Sequence, residues 1–157
     1  MRSEWEVNQA VDKYANLITR ICFIYLKNEA DTQDVFQSVF LKYLKYNKSF
    51  ESEEHEKAWF IRVSINTYKD VLKNFFHSHT VSLDKVESAF MTEPLQHPEV
   101  LEAVLSLPQN YRTVIYLYYY EGYKETEIAG ILKKKVNTIY TWMYQAKQIL
   151  KKQLGGE

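Results

Sequence analysis

Three consecutive lysines, Lys133, Lys134 and Lys135, precede a run in which Asn137, Thr138, Thr141 and Gln145 alternate with Tyr140, Trp142 and Tyr144, and Lys147 follows. Amide and hydroxyl side chains can pair with base edges, whereas a lysine ammonium neutralises phosphate with little regard to sequence. The set therefore suits contact with a nucleic acid. Asn137, Thr138, Thr141 and Gln145 are candidate base readers, Lys133, Lys134, Lys135 and Lys147 candidate phosphate contacts, and Tyr140 and Tyr144 share their surface. A face that is only solvated, or that grips another protein, is the alternative.

Such a set needs a helix to present it. Val136, Ile139, Met143, Ala146 and Leu150 step by three and four, so they face a small core with Val114, Leu117, Ile128 and Leu132 and leave the polar residues outward. Just upstream, residues 125–132 spell a second short amphipathic helix. Two short helices joined by a tight turn form the framework that lays a reading helix in the major groove.

Formal net charge is zero over the 157 residues, which looks wrong for a nucleic-acid binder until it is mapped. Residues 1–76 carry 11 basic and 11 acidic side chains, residues 77–97 one and three, and residues 98–157 eight and six. Within 131–157 the balance is six to one, so the basic excess lies where phosphates would. The excess is small, which predicts weak binding to free DNA and a further partner that supplies affinity.

The remaining composition predicts an all-α protein. Apolar residues recur at helical spacing, and only four Gly and three Pro interrupt them. Val7, Val11, Tyr14, Ile18, Ile21 and Tyr25 mark a first helix ending near Lys27 and Asn28. Asp31 reads as the N-cap of a second helix, with Asp34 behind it and Val35, Phe36, Val39, Phe40, Tyr43 and Leu44 on its apolar side. A polar break over 47–56 precedes a third helix carrying Trp59, Phe60, Val63, Tyr68, Val71, Leu72 and Phe75. On that helix Asn66, Lys69, Asp70 and Lys73 fall on the opposite side. Periodicity fades over 77–97, a linker by composition; Pro98 and Pro108 then fit first-turn positions and Gly122 the position after a helix end. The expected organisation is two small helical domains, 1–76 and 98–157, joined by the linker 77–97.

Three blocks carry a family resemblance across nearly the whole chain. Residues 29–44, EADTQDVFQSVFLKYL, resemble the acidic-start helix with which bacterial sigma factors of the extracytoplasmic-function group dock on RNA polymerase. Residues 58–73, AWFIRVSINTYKDVLK, resemble their helix that melts the promoter and reads its minus-ten element. Residues 107–115, LPQNYRTVI, with the helix-turn-helix after them, resemble their minus-thirty-five-reading domain. The resemblance implies a region 2-like bundle, a region 4-like helix-turn-helix, and core RNA polymerase, promoter DNA and an anti-sigma factor as candidate partners. Asp31, Asp34, Gln37 and Lys42 become the candidate polymerase contacts, and Asn66, Lys69 and Lys73 candidate DNA contacts. By the same resemblance, the loop with Phe50 and residues 53–56 would capture a base flipped from the duplex. Trp59 is open to two readings, core or stacking platform.

The chain also departs from that pattern. Where the family follows its third helix with arginines, this sequence has Lys73-Asn-Phe-Phe-His-Ser-His79. Lys133 stands where the family commonly has Gly, and a non-Gly residue at positive φ costs about 1 kcal/mol. Lys135 replaces the usual small polar cap, leaving Asn137 or Thr138 to cap. Tyr140, Trp142 and Gln145 replace frequent arginines.

No catalytic constellation, cofactor motif or spaced Cys/His set is present, so the expectation is a non-enzymatic protein without cofactor or metal. His77 and His79 form no more than a metal pair in a polar segment. Cys22 stands at core spacing and reads as a buried, inert thiol. With no leader-like segment at the start and no long apolar run, the expected compartment is the cytoplasm, without membrane insertion. The reading is a dissociable promoter-specificity subunit. Its rivals are a stand-alone helix-turn-helix regulator and a polymerase-binding protein that has lost promoter reading.

Overall fold

The computed structural model describes residues 1–25, 29–74 and 98–155, with the backbone alone at 29–31, 71–74 and 98. Among these residues there are seven α-helices and no strand. They gather in two compact units, one within Met1–Ser82 and the other within Leu83–Glu157. No described helix is long and apolar enough to cross a membrane.

In the first unit α1 (Glu4–Tyr25), α2 (Glu29–Lys45) and α3 (Glu53–Asn74) each pack on the other two. Ser3 opens α1 with a reciprocal cap. Its hydroxyl accepts from the Glu6 N–H at 3.1 Å, and its own N–H donates to the Glu6 carboxylate at 3.2 Å. That backbone donor, with Arg2 beside it, holds Glu6 below the usual carboxylate range. The buried side of α1 runs from Ala10 through Tyr14, Leu17, Ile18, Ile21 and Cys22, with Val7 and Val11 half-buried at its edge. Burial pushes the Cys22 thiol up to about 12, which leaves it protonated and inert.

Two helix starts differ from expectation. α2 begins at Glu29, so Asp31 lies inside the first turn and is not the N-cap; an acidic residue suits any first-turn position beside the positive helix end, so it does not mark the boundary. α3 begins at Glu53 within the expected break, because Ser52 caps it through the His55 N–H at 3.1 Å and Glu53, Glu54 and Glu56 follow in the first turn. Val63 is half-buried, and the buried face instead comprises Trp59, Phe60, Ile61, Ser64, Ile65, Thr67 and Tyr68.

Aromatic rings fill this core. Phe60 stacks on Tyr14 at 4.5 Å and meets Tyr43 and Trp59 at 5.0 Å each. The Glu56 carboxylate accepts from the hydroxyls of Tyr14 at 2.8 Å and Tyr43 at 3.2 Å. Burial and then this carboxylate push both phenols up, Tyr43 to about 12. Arg2 closes the bundle from outside, its guanidinium over Tyr43 at 4.4 Å and donating to the Lys48 carbonyl at 2.7 Å.

The second unit comprises α4 (Pro98–Leu105), α5 (Gln109–Ile115), α6 (Glu125–Leu132) and α7 (Val136–Gln153). Pro98 is the first residue of α4, as its fixed φ allows; Pro108 is the N-cap of α5, one residue earlier than expected. α5 continues into a π-helical turn over Tyr116–Tyr120, where the Glu121 N–H reaches the Tyr116 carbonyl at 3.2 Å. Gly122 then takes φ +80 and ends the helix. α6 starts with the Glu127 carboxylate accepting from the Lys124 N–H at 2.9 Å. Leu101, Leu107, Val114, Leu117, Ile128, Ile139, Met143 and Ala146 form the core, while Leu132, Val136 and Leu150 are half-buried at its rim. Residues 77–97, with His77 and His79, lie outside the described residues, as do the side chains of Val71, Leu72 and Asp31 and the whole of Phe75.

Candidate functional site

α6 and α7 pack against each other, and α7 also packs against α5. The turn between α6 and α7 depends on Lys133, the only non-Gly residue at positive φ among the described residues, at φ 55 and ψ 49. This left-handed residue lets the Lys134 N–H reach back to the Ala129 carbonyl at 3.0 Å, which ends α6 and turns the chain into α7. Lys133, Lys134 and Lys135 are all exposed ahead of α7. Lys135 is the N-cap, with extended backbone and no side-chain cap bond, since a lysine has no acceptor to offer. Asn137 and Thr138 are therefore the second and third residues of α7, and neither caps it.

On α7, Asn137, Tyr140, Thr141, Tyr144 and Gln145 are exposed and Thr138 is half-buried. Tyr140 and Tyr144 are 48% and 61% exposed, well beyond what packing needs. The Thr141 hydroxyl donates to the Asn137 carbonyl at 3.0 Å, so its proton is committed to the helix. Gln148, absent from the candidates above, is exposed one turn beyond Tyr144 on the same face; its amide and its four-residue step from Tyr144 are the sequence signal for it. Lys147 leaves the group. It is exposed, but its ammonium lies over the rings of Tyr118 and Tyr119 at 5.6 and 5.8 Å, because it borders the buried stripe of Met143 and Ala146.

On the first unit, Asp34 and Gln37 are exposed on α2, while the side chain of Asp31 is outside the described residues. Lys42 is exposed as well, but on a different side of the helix. It sits about 80° round the helix from Asp34 at 3.6 residues per turn, beside the buried face, and its ammonium donates to the Thr67 hydroxyl of α3 at 2.8 Å. Leu41, 54% exposed, lies between Asp34 and Gln37 on the outward side, so that surface is mixed in polarity. Asn66, Lys69 and Asp70 are exposed together on α3, and the side chain of Lys73 is outside the described residues.

The base-capturing loop is changed in outline. Residues 53–56 are helical, and Phe50 is stacked on Tyr46 at 5.4 Å and set edge-on to Trp59 at 5.8 Å. Trp59 is only 6% exposed, which makes it core rather than platform. Among the described residues no group of three His, Cys, Asp or Glu side chains could hold a metal.

A helix-turn-helix unit with a polar, exposed reading helix, next in sequence to a three-helix unit that exposes Asn66 and Lys69, defines a two-part helical protein built for DNA. Comparison with known proteins makes the class specific. Residues 10–74 match the sigma-70 region 2 family and residues 97–150 the sigma-70 region 4 family. The chain is 29% identical over 140 residues to RNA polymerase sigma factor SigV of Bacillus subtilis, covering 88% of this chain and 84% of that protein. It is 26% identical over 161 residues to the ECF sigma factor SigW of the same organism, covering 92% and 86%. Among solved structures it is similar to the sigma factor RpoE of Bartonella quintana, co-crystallised with the anti-sigma factor NepR, with TM-score 0.72, 18% identity and coverage of 95% and 96%. The chain belongs to the sigma-70 family, in its extracytoplasmic-function group, and is a transcription initiation factor.

Proposed function

We propose that this sigma factor divides promoter reading between its two units at the residues named above. α7 reads the upstream element with Asn137, Thr138, Thr141, Gln145 and the neighbouring Gln148, while Lys134 and Lys135 fix its register on the phosphates. Asn66, Lys69 and Lys73 of α3 contact the downstream element, and Asp31, Asp34 and Gln37 of α2, with Leu41 among them, meet core RNA polymerase. Lys42, exposed beside that surface and held by Thr67, borders the polymerase contact, and Lys147 reaches DNA only if it leaves Tyr118 and Tyr119. The domains are 1–76 and 98–157, with 77–97 as the linker. The role needs no catalysis by this chain and places its work in the cytoplasm with the polymerase. An anti-sigma factor, the partner with which the Bartonella relative was crystallised, is a candidate regulator.

The observation that carries the reading is the exposed polar face of α7, set behind a left-handed Lys133 turn and three exposed lysines. Run-off transcription with core RNA polymerase over a randomised promoter library tests it. The expected result is two enriched elements at fixed spacing. Binding to polymerase with no preferred upstream bases favours the interaction protein that has lost promoter reading, and absence of binding sinks the assignment.

A further inference from the structure

We propose that Thr141 selects thymine in the upstream element through its γ-methyl group rather than its hydroxyl. The inference rests on the reading of α7 as the upstream reader and names the base chemistry at one of its positions. Thr141 is exposed on the outward face, one turn from Asn137 and one turn from Gln145. Its hydroxyl hydrogen is donated to the Asn137 carbonyl at 3.0 Å, which holds the oxygen back against the helix. A threonine inside a helix has two accessible rotamers for this reason, and the one adopted here bonds the carbonyl four residues back. The remaining heavy atom on Cβ is the methyl group, the part of this exposed side chain that the helix bond leaves uncommitted.

In the major groove the thymine C5-methyl is the distinctive apolar group among base edges, and a threonine methyl is one of its natural partners. The flanking residues complete the logic. Asn137, Gln145 and Gln148 carry amides able both to donate and to accept, so hydrogen-bond reading has donors on either side of Thr141 without its hydroxyl. The thymine edge offers only the O4 acceptor beside its methyl, so reading it through the hydroxyl would need the proton already given to Asn137, one hydrogen bond broken for one made with no net gain.

The test uses the full chain with core polymerase on a promoter carrying the selected upstream element. Each thymine of that element is replaced in turn by deoxyuridine, which removes the methyl and nothing else, and binding is measured for wild type, Thr141→Val and Thr141→Ser. At one thymine the substitution should weaken wild type roughly fourfold, the factor given by one buried methyl group. Thr141→Val should keep that sensitivity and Thr141→Ser should lose it. The proposal is overturned if Thr141→Ser keeps it while Thr141→Val does not, or if wild type with a defined upstream preference is indifferent to deoxyuridine everywhere. Those two results leave α7 as the reader. Absence of any upstream preference in wild type overturns both the proposal and the reading beneath it.

Discussion

The two units differ in where their shape is stored. In the three-helix unit it lies in side chains: Phe60 is surrounded by Tyr14, Phe40, Tyr43 and Trp59, and the Glu56 carboxylate joins hydroxyls from α1 and α2. In the helix-turn-helix unit it lies in the backbone. Every positive-φ residue among those described, Gly122, Lys133 and Gly155, is there, as is the π-helical turn of Tyr116–Tyr120. Its helices are short and joined by tight turns, so sharp changes of direction fall to single residues with unusual dihedrals. The three long helices of the first unit instead hold a carboxylate and two raised phenols between them without a positive-φ residue among those described.

The largest test of this contrast is Phe60→Ala. Removing a fully buried ring should cost about 3–5 kcal/mol and act on the first unit alone. Fluorescence of Trp59 and Trp142 variants, followed through urea unfolding, should show the first transition move and the second stay. Simultaneous unfolding of both would show that the units do not fold separately.

Next is Glu56→Gln, which should cost roughly 1.5–3 kcal/mol by weakening two charge-assisted bonds. The same pair gives a pH signature. Folding raises the Tyr14 and Tyr43 phenols above their ordinary 10.0, so their contribution is whole below pH 10 and is lost as pH rises towards about 12. Thermal melts between those limits should lower the first transition, and Tyr14→Phe with Tyr43→Phe should flatten the dependence. A double variant that still loses stability over that range would place the alkaline sensitivity elsewhere.

Backbone tests on the second unit come next in size and carry opposite signs. Gly122→Ala, at φ +80, should destabilise by about 1 kcal/mol, whereas Lys133→Gly should stabilise by up to about 1 kcal/mol by relieving the left-handed lysine. Calorimetry of the second transition reads both, and equal signs would contradict the strain assigned to Lys133. The smallest effect is Lys134→Ala. It should leave base preference unchanged and reduce the salt dependence of promoter binding by about one phosphate contact, while a changed preference would make Lys134 a base reader.

Much of this was legible in local pattern. The extents of α6 and the start of α7, the core of Ile128, Ile139, Met143 and Ala146, the buried Cys22 and the left-handed Lys133 all follow from spacing within a few turns or from the family resemblance. Helix starts were less so. Glu29 and Glu53 open α2 and α3 with polar residues that carry no apolar period, so the sequence boundary falls where hydrophobic repetition begins rather than where hydrogen bonding does.

By itself, then, the sequence determined which segments are helical, most of their apolar positions and that α7 follows a tight lysine turn, because these depend on neighbours three or four positions apart. Tertiary structure alone decided what individual polar groups do. Glu56 meets Tyr14 across 42 positions, Lys42 turns to Thr67 across 25, and Arg2 reaches the Lys48 carbonyl across 46. Lys147 lies over the Tyr118 and Tyr119 rings. A long side chain at the border of a buried face can point either way round its helix, and only the element packed beside it settles which.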